Sequence, residues 1–429
     1  MRHLIFKQSI NIEEMSEEHF RSKNYMRYLV IFLGIVALTD NSLSLIEQVA
    51  IRPAMSEFNI SLSQFTLWQG LVGIFSFFVF MISWLGDFFG RRKGMLIQIL
   101  IMSIPALLIG LIGPSSMLLF FILYGIMIMG TNVNFWAVPI SEESPAKNRG
   151  KLGASVFLIG LLPFYAIFGE NIAENLGWEW TFGLFGIIGI LALIPWYFML
   201  ETKKWEENQE EFKQSKDTFL KSLRLISKAN WRFILLSGLV YICWSAVFKF
   251  ATLTLSIYFQ DVQGRTADEW DSILTLGGVM TLVGALTIGQ IMDRIGRIPA
   301  LIWSSGGSVI SYAMLALTGN QIFAILIYYF MASVLGYLLV YNAEMLPTNI
   351  RGIGIGILST LSRIGFVIGP LVVSLIISDE VITTQSESSF EMLYMLGAGV
   401  MLIPLMTILF NRNETRGMTL EDIDKSYSN

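Results

Sequence analysis

Three charged side chains stand alone in apolar sequence: Asp40 within the run 28–50, Lys249 within 231–259 and Arg363 within 352–377. A charge near the centre of a bilayer costs on the order of 2.5–3.5 kcal/mol on insertion scales, so such residues usually face an interior cavity and mark a path for a solute or a proton. Asp40 lies about 12 residues, or roughly 18 Å at 1.5 Å per residue, into its run. Arg363 is at a similar depth past Arg351, and Lys249 lies further along its helix. One acid against two bases leaves a surplus positive charge, which favours an anionic ligand. A carboxylate facing a cavity can also take up a proton, which gives Asp40 a coupling or gating role. Each residue has a structural alternative. Arg363 could bond backbone carbonyls beside Gly365 and Gly369, Lys249 could reach the outer interface, and Asp40 could neutralise a base permanently. Glu47, Glu170 and Glu174 fall near the outer ends of their runs and are expected to be solvated.

Other chemistries lack their residues. Both histidines, His3 and His19, lie in a polar N-terminal tail, and the single cysteine, Cys243, has no partner for a disulfide. No metal-ligand cluster, phosphate-cradling glycine loop or nucleophile beside a histidine appears, so the chain is not expected to be an enzyme. No catalytic residue, metal, cofactor or nucleic-acid partner is expected.

Two charged patterns occur twice. Asp-x-x-Gly-Arg is read at Asp87, Gly90 and Arg91, then at Asp293, Gly296 and Arg297, with Arg294 at the first variable position. Glu-x-x-Pro-x-x-x-Arg-Gly is read at Glu142, Pro145, Arg149 and Gly150, and again at Glu344, Pro347, Arg351 and Gly352. The shift in the second pattern is 202 positions (344 − 142 and 351 − 149). Carboxylates and guanidiniums at helix ends on one face can form bidentate pairs. Asp87, Arg91, Glu142 and Arg149 would pair in the first half, and Asp293, Arg297, Glu344 and Arg351 in the second, as a gate that latches the halves and opens between two states.

The elements that must hold these residues are membrane spans. Of 429 residues 54% are hydrophobic and 14% charged, with a mean hydropathy of +0.61, against about 25% charged in a soluble domain. A spanning helix needs about 20 apolar residues, and twelve such runs are read: 28–50, 62–85, 94–112, 115–140, 152–172, 179–199, 231–259, 271–292, 298–318, 321–345, 352–377 and 389–410. The expected fold is therefore an all-α membrane protein of two pseudo-symmetric six-helix bundles, 28–200 and 231–410, around a central cavity. A charged linker, 201–230, joins them, and polar tails occupy 1–27 and 411–429. No cleavable signal is evident. Placing both tails inside puts every Lys and Arg except Arg52, Arg265, Lys249 and Arg363 in cytoplasmic segments, as the positive-inside rule requires. All four copies of the doubled patterns then face the cytoplasm.

These features together resemble the major facilitator superfamily along nearly the whole chain. Gly86-Asp87-Phe88-Phe89-Gly90-Arg91-Arg92-Lys93 is similar to that family's signature loop after helix 2, with Ser83 and Phe88 as departures, and Gly289-x-x-x-Asp293-Arg294-Ile295-Gly296-Arg297 fits more closely. The Glu-x-x-Pro loops, Gly177-Trp178-Glu179-Trp180, Glu201-Thr202-Lys203 and its echo Glu414-Thr415-Arg416-Gly417 resemble the sugar-porter and organic-ion branch. Ser362-Arg363-Ile364-Gly365 with Gly369-Pro370 is similar to organic-ion and aromatic-acid:proton symporters, whereas the paired glutamines of sugar porters are missing from helix 7. The resemblance implies that Asp40 matches the protonatable acid of proton-coupled relatives, while the Arg that answers it in helix 4 is absent here. It also implies that helices 1, 4, 7 and 10 line the cavity, which brings Asn134, Trp244 and Tyr337 into the candidate substrate site. The expected function is alternating-access transport of a small organic anion, a carboxylate or aromatic acid, with protons, by a monomer in the plasma membrane. An organic-cation or drug transporter, a sugar transporter and a non-transporting sensor are the alternatives.

Overall fold

The structure, a computed structural model, describes residues 21–113, 116–145, 148–207, 226–346, 351–378, 382–410 and 414–416. Most of both tails and most of the 201–230 linker therefore lie outside the described residues. The helices in chain order are α1 (Lys23–Leu45), α2 (Glu47–Phe58), α3 (Leu62–Val72), α4 (Val79–Phe89), α5 (Arg91–Ile112), α6 (Met117–Gly130), α7 (Ala137–Glu143), α8 (Arg149–Gly160), α9 (Phe164–Leu176), α10 (Glu179–Leu191), α11 (Leu193–Phe198), α12 (Lys203–Glu207), α13 (Lys228–Ile257), α14 (Ala267–Arg294), α15 (Arg297–Thr318), α16 (Gln321–Met345), α17 (Arg351–Ile376) and α18 (Glu387–Thr407). Among the described residues ten helices are long and apolar enough to cross a membrane. The second and fourth crossings are assembled from pieces: α3 and α4 joined by a 3₁₀ segment, Gly73–Phe78, and α6 with α7. Twelve crossings return the chain to the face it started from, here called the terminal face.

Two elements differ from their expected bounds. The first crossing continues beyond residue 50, through a short bend at Ile46, to Phe58. It stops where Asn59 takes a left-handed conformation (φ 51°) and donates its N–H to the last carbonyls of α2. The run 115–140, expected as one helix, is interrupted over 131–136, with Asn132 and Asn134 at φ 55° and 53°. Asparagine is among the few non-glycine residues that visit this region readily.

Each half is a layer of packed helices, and the halves meet through α2 on α13, α3 on α17 and α9 on α14. Small residues allow the closest approaches, as expected where van der Waals contact rather than hydrophobic transfer drives helix association. A methyl group on Gly365 of α17 would lie 2.0 Å from Ser245 Oγ of α13, and one on Gly70 of α3 would lie 2.7 Å from the Leu371 side chain. Ser63 Oγ donates to the Ser374 carbonyl at 2.8 Å across the same α3–α17 contact. Arg52 pairs with Asp261 at 2.9 Å, and Tyr328 donates to Gln48. The Gly70–Leu371, Ser63–Ser374, Arg52–Asp261 and Tyr328–Gln48 contacts join the two halves towards the face opposite the termini, so the halves are closed on that side.

Candidate functional site

Asp40 and Arg363 come together through a backbone residue. Asp40, 3% exposed on α1, accepts the Asn132 N–H at one oxygen and a Gln98 Nε2 hydrogen at the other, 3.3 Å away. The Asn134 N–H also faces this carboxylate. Backbone N–H groups of an irregular segment can converge on an anion, and here the anion is a side chain of the protein. From the other half, Arg363 Nη2 donates to the Asn132 carbonyl at 2.6 Å. A single peptide residue in the interrupted crossing is thus held from both halves. The base that answers Asp40, absent from helix 4, is supplied by α17 of the opposite half.

Lys249 has a different partner. Its Nζ lies 2.6 and 2.8 Å from the two carboxylate oxygens of Glu47. Glu47 was expected to be solvated, yet it is 3% exposed. The same carboxylate accepts hydrogen bonds from Gln69, from Tyr124 at 3.0 Å and from Thr252 at 2.7 Å. Because the first crossing runs on to Phe58, Glu47 sits well inside the protein, just past the bend at Ile46, rather than at the end of the crossing. Glu170 and Glu174 do stand closer to solvent. The inclusion of Glu47 also corrects the charge count: Asp40 and Glu47 balance Lys249 and Arg363, so the buried set has no surplus positive charge.

Phe366 lies between the two bases, its ring centre 5.6 Å from Lys249 Nζ and 5.6 Å from Arg363 Cζ, within cation–π range. A small cavity of about 30 Å³ opens here, with Gln69, Ser76, Asn132, Lys249, Arg363 and Phe366 in its wall. Three buried polar atoms in that wall, Gln69 Oε1, Ser76 Oγ and Arg363 Nε, have no hydrogen-bond partner among the described residues. Buried polar groups are normally paired, so two oxygens and one guanidinium N–H of the residues around this cavity keep unmet hydrogen-bonding capacity.

The softer candidates are distributed differently. Asn134 is exposed in the interrupted segment. Trp244 donates Nε1–H to the Met331 carbonyl at 2.7 Å and meets Phe366 edge-on, which makes it the support behind the cavity wall. Tyr337 stacks on Tyr341 and lines a separate space with Phe233 and Ser237 inside the second half. The residues without a signal strong enough to select them from sequence were Glu47, Gln69, Ser76, Gln98, Tyr124 and Thr252. An amide or hydroxyl in an apolar helix was the available cue, and it does not say which way the side chain turns.

On the terminal face the doubled patterns build the same clasp twice. Arg91 Nη2 meets Glu142 Oε1 at 2.8 Å, and Thr202 Oγ1 donates to Glu142 Oε2 at 2.6 Å. In the second half Arg297 Nη2 meets Glu344 Oε1 at 2.6 Å, and Thr415 Oγ1 donates to Glu344 Oε2 at 2.7 Å. Glu201 accepts the backbone N–H groups of Arg91 and Arg92, as Glu414 accepts those of Arg297 and Ile298. The pattern's glycine is required for this. Gly90 and Gly296 have φ of 107° and 121°, and a methyl group would lie 2.2 Å from Glu201 Oε2 or 2.6 Å from Glu414 Oε2. Burial pushes the Glu201 carboxyl up from its ordinary value. Burial acts the same way on Glu414, but three backbone N–H donors outweigh it and hold that carboxyl below the usual range. Asp293 is exposed and touches Arg297 only at 3.5 Å. The side chains of Asp87, Arg149 and Arg351 lie outside the described residues.

A profile of the Major Facilitator Superfamily matches residues 30–370. The putative metabolite transport protein YwtG of Bacillus subtilis is 26% identical over 80% of this chain and 81% of its own length. The glucose transporter GlcP of Staphylococcus epidermidis is 27% identical over 79% and 83%. The inward-open xylose transporter XylE of E. coli superposes with a TM-score of 0.66 at 18% identity, over 94% of this chain and 99% of that one. The all-helical membrane fold agrees with these matches. The chain belongs to the Major Facilitator Superfamily and is a transporter rather than an enzyme.

Proposed function

We propose that this transporter moves a small organic anion, of carboxylate or aromatic-acid type, together with protons. The observation that carries the substrate class is Arg363: 4% exposed, in the cavity wall, with Nε free of any partner among the described residues. A planar guanidinium is the side chain best suited to bind a carboxylate with two parallel bonds. With all four buried charges ionised the set is neutral. Adding a proton to Asp40 leaves Arg363 uncompensated, and the cavity becomes cationic. Proton and anion then favour each other's binding, and the favour is reciprocal. In this scheme both termini and the two clasps are cytoplasmic, the plasma membrane is the setting, the protein works as a monomer, and the contacts on the opposite face make the present state one closed to the outside.

A second reading, an uncharged polar solute such as a sugar, is favoured by the Glu47–Lys249 pair, which removes one base from the count. An organic cation would have to approach Arg363 without a free acid. The test is uptake into proteoliposomes under an imposed inward proton gradient, comparing small carboxylates, sugars and organic cations. Gradient-driven carboxylate uptake is expected, lost in Arg363→Ala with the protein still folded. Sugar uptake that survives Arg363→Ala would establish the second reading, and carboxylate uptake indifferent to the gradient would end the coupling claim.

A further inference from the structure

The interruption in the fourth crossing has no counterpart in the second half. The 202-residue shift of the Glu142 pattern sets Asn132, Asn134 and Pro139 opposite Val334, Gly336 and Tyr341, and these lie in the unbroken α16. Within a membrane every backbone group must find a partner inside the protein, and the partners at the interruption are specific. In a continuous helix the Asn132 N–H would bond the Ile128 carbonyl, and the Asn132 carbonyl would receive the Trp136 N–H. Asp40 takes the first role and Arg363 the second. Gln98 Nε2 caps the freed Gly130 carbonyl at 3.3 Å, and Thr131 Oγ1 caps that of Ile128 at 3.4 Å. Pro139 contributes by lacking an N–H, but the carbonyl it would leave unpaired is that of Phe135, not of Asn132.

We propose that residues 131–136 form a two-state hinge, unwound while Asp40 and Arg363 hold the Asn132 peptide from the two halves and helical once that grip is released. Asn132 is its positioning residue. Downstream of the hinge, α7 carries Glu142, the clasp carboxylate that holds Arg91 and Thr202, and its neighbour Glu143, which pairs with Arg21 at 2.8 Å and accepts the Lys203 N–H at 2.7 Å. Winding six residues turns α7 about the helix axis and draws these carboxylates away from their partners. An event at Asp40 is thereby passed to the clasp of the first half, while Glu344 on the rigid α16 stays in place. The hinge is independent of which solute or ion is carried, so it stands or falls separately from the substrate assignment.

Hydrogen–deuterium exchange on the full-length protein in lipid nanodiscs tests this, read over 131–136 with 332–342 of α16 as the internal reference. Asn132→Ala and Asn132→Gly remove the same side chain but differ at φ 55°, where alanine is strained and glycine is at ease. The expected result is exchange slowed several-fold in Asn132→Ala and in Asp40→Ala, unchanged in Asn132→Gly, with the reference segment unaltered throughout. Should Asp40→Ala fail to fold, the alanine–glycine pair decides alone. Exchange over 131–136 that is equal in Asn132→Ala and Asn132→Gly, or faster than the parent in Asn132→Ala, would overturn the proposal.

Discussion

Removing the Glu47 carboxylate is the sharpest perturbation of the closed face. The pair it forms with Lys249 joins the halves, with side chains only 3% and 10% exposed, so solvent screening offers little relief. Glu47→Ala leaves the ammonium buried without its counter-ion, and also strips Gln69, Tyr124 and Thr252 of a shared acceptor. Breaking one side of a buried pair costs about 3–5 kcal/mol. When the halves part on this face the lysine reaches water, so most of that cost falls on the closed state alone. At roughly 1.4 kcal/mol per decade, the closed-to-open ratio should drop by at least about a hundredfold. The Ser63 and Ser374 hydroxyls, 3.1 Å apart across the same interface, provide the assay. Ser63→Cys with Ser374→Cys, in a Cys243→Ser background, should form a disulfide quickly under mild oxidant, and Glu47→Ala should slow its formation steeply. Adding Lys249→Met removes the stranded charge and should restore most of the rate, because replacing both partners of a buried pair is often close to neutral. Cross-linking as fast in Glu47→Ala as in the parent would refute the assignment of this pair as a closure contact.

Two further predictions concern the clasps. Gly90→Ala and Gly296→Ala place a side chain at φ of 107° and 121°, within 2.2 and 2.6 Å of the carboxylates that organise each clasp; strain of about 1–3 kcal/mol should lower the thermal midpoint of each variant, while Gly153→Ala, with nothing within 4 Å, should not. The Glu414 carboxyl is held below its usual range, so its stabilisation is present above the unfolded pKa and lost as pH falls through the folded one; the difference in midpoint between the parent and Glu414→Gln should therefore be largest near neutral pH and shrink as the solution is taken below the ordinary carboxylate range.

Much of the architecture was legible because lipid imposes a simple rule on sequence. Long apolar runs separated by charge identify crossings, and Lys and Arg placement argues which side the loops face. The doubled patterns were legible as a repeat, and the structure shows why each residue type recurs: an arginine for two-point contact with a carboxylate, and a glycine where backbone and carboxylate leave no room. The Glu201-Thr202 and Glu414-Thr415 echoes could be seen, but not that each threonine would bond the glutamate of a loop 60 or 71 residues earlier.

Depth and pairing were hidden. Glu47 looked like the solvated end of a helix because Arg52, Pro53 and Glu57 lower the hydropathy beyond it, yet the helix carries on to Phe58 and the carboxylate is buried. Hydropathy counts residues along the chain; it cannot see Lys249, 202 positions away, turning the apparent end into an interior ion pair. The run 115–140 likewise held only two asparagines to suggest a break. The backbone there satisfies its hydrogen bonds with Asp40, 92 residues before it, and Arg363, 231 residues after it. Sequence alone therefore determined the family, the membrane-spanning helical class and the doubling of the charged patterns, since each rests on local composition and spacing. Tertiary structure decided which buried charges pair and where a helix comes apart, since both depend on partners that only the packing of the two halves brings within hydrogen-bonding distance.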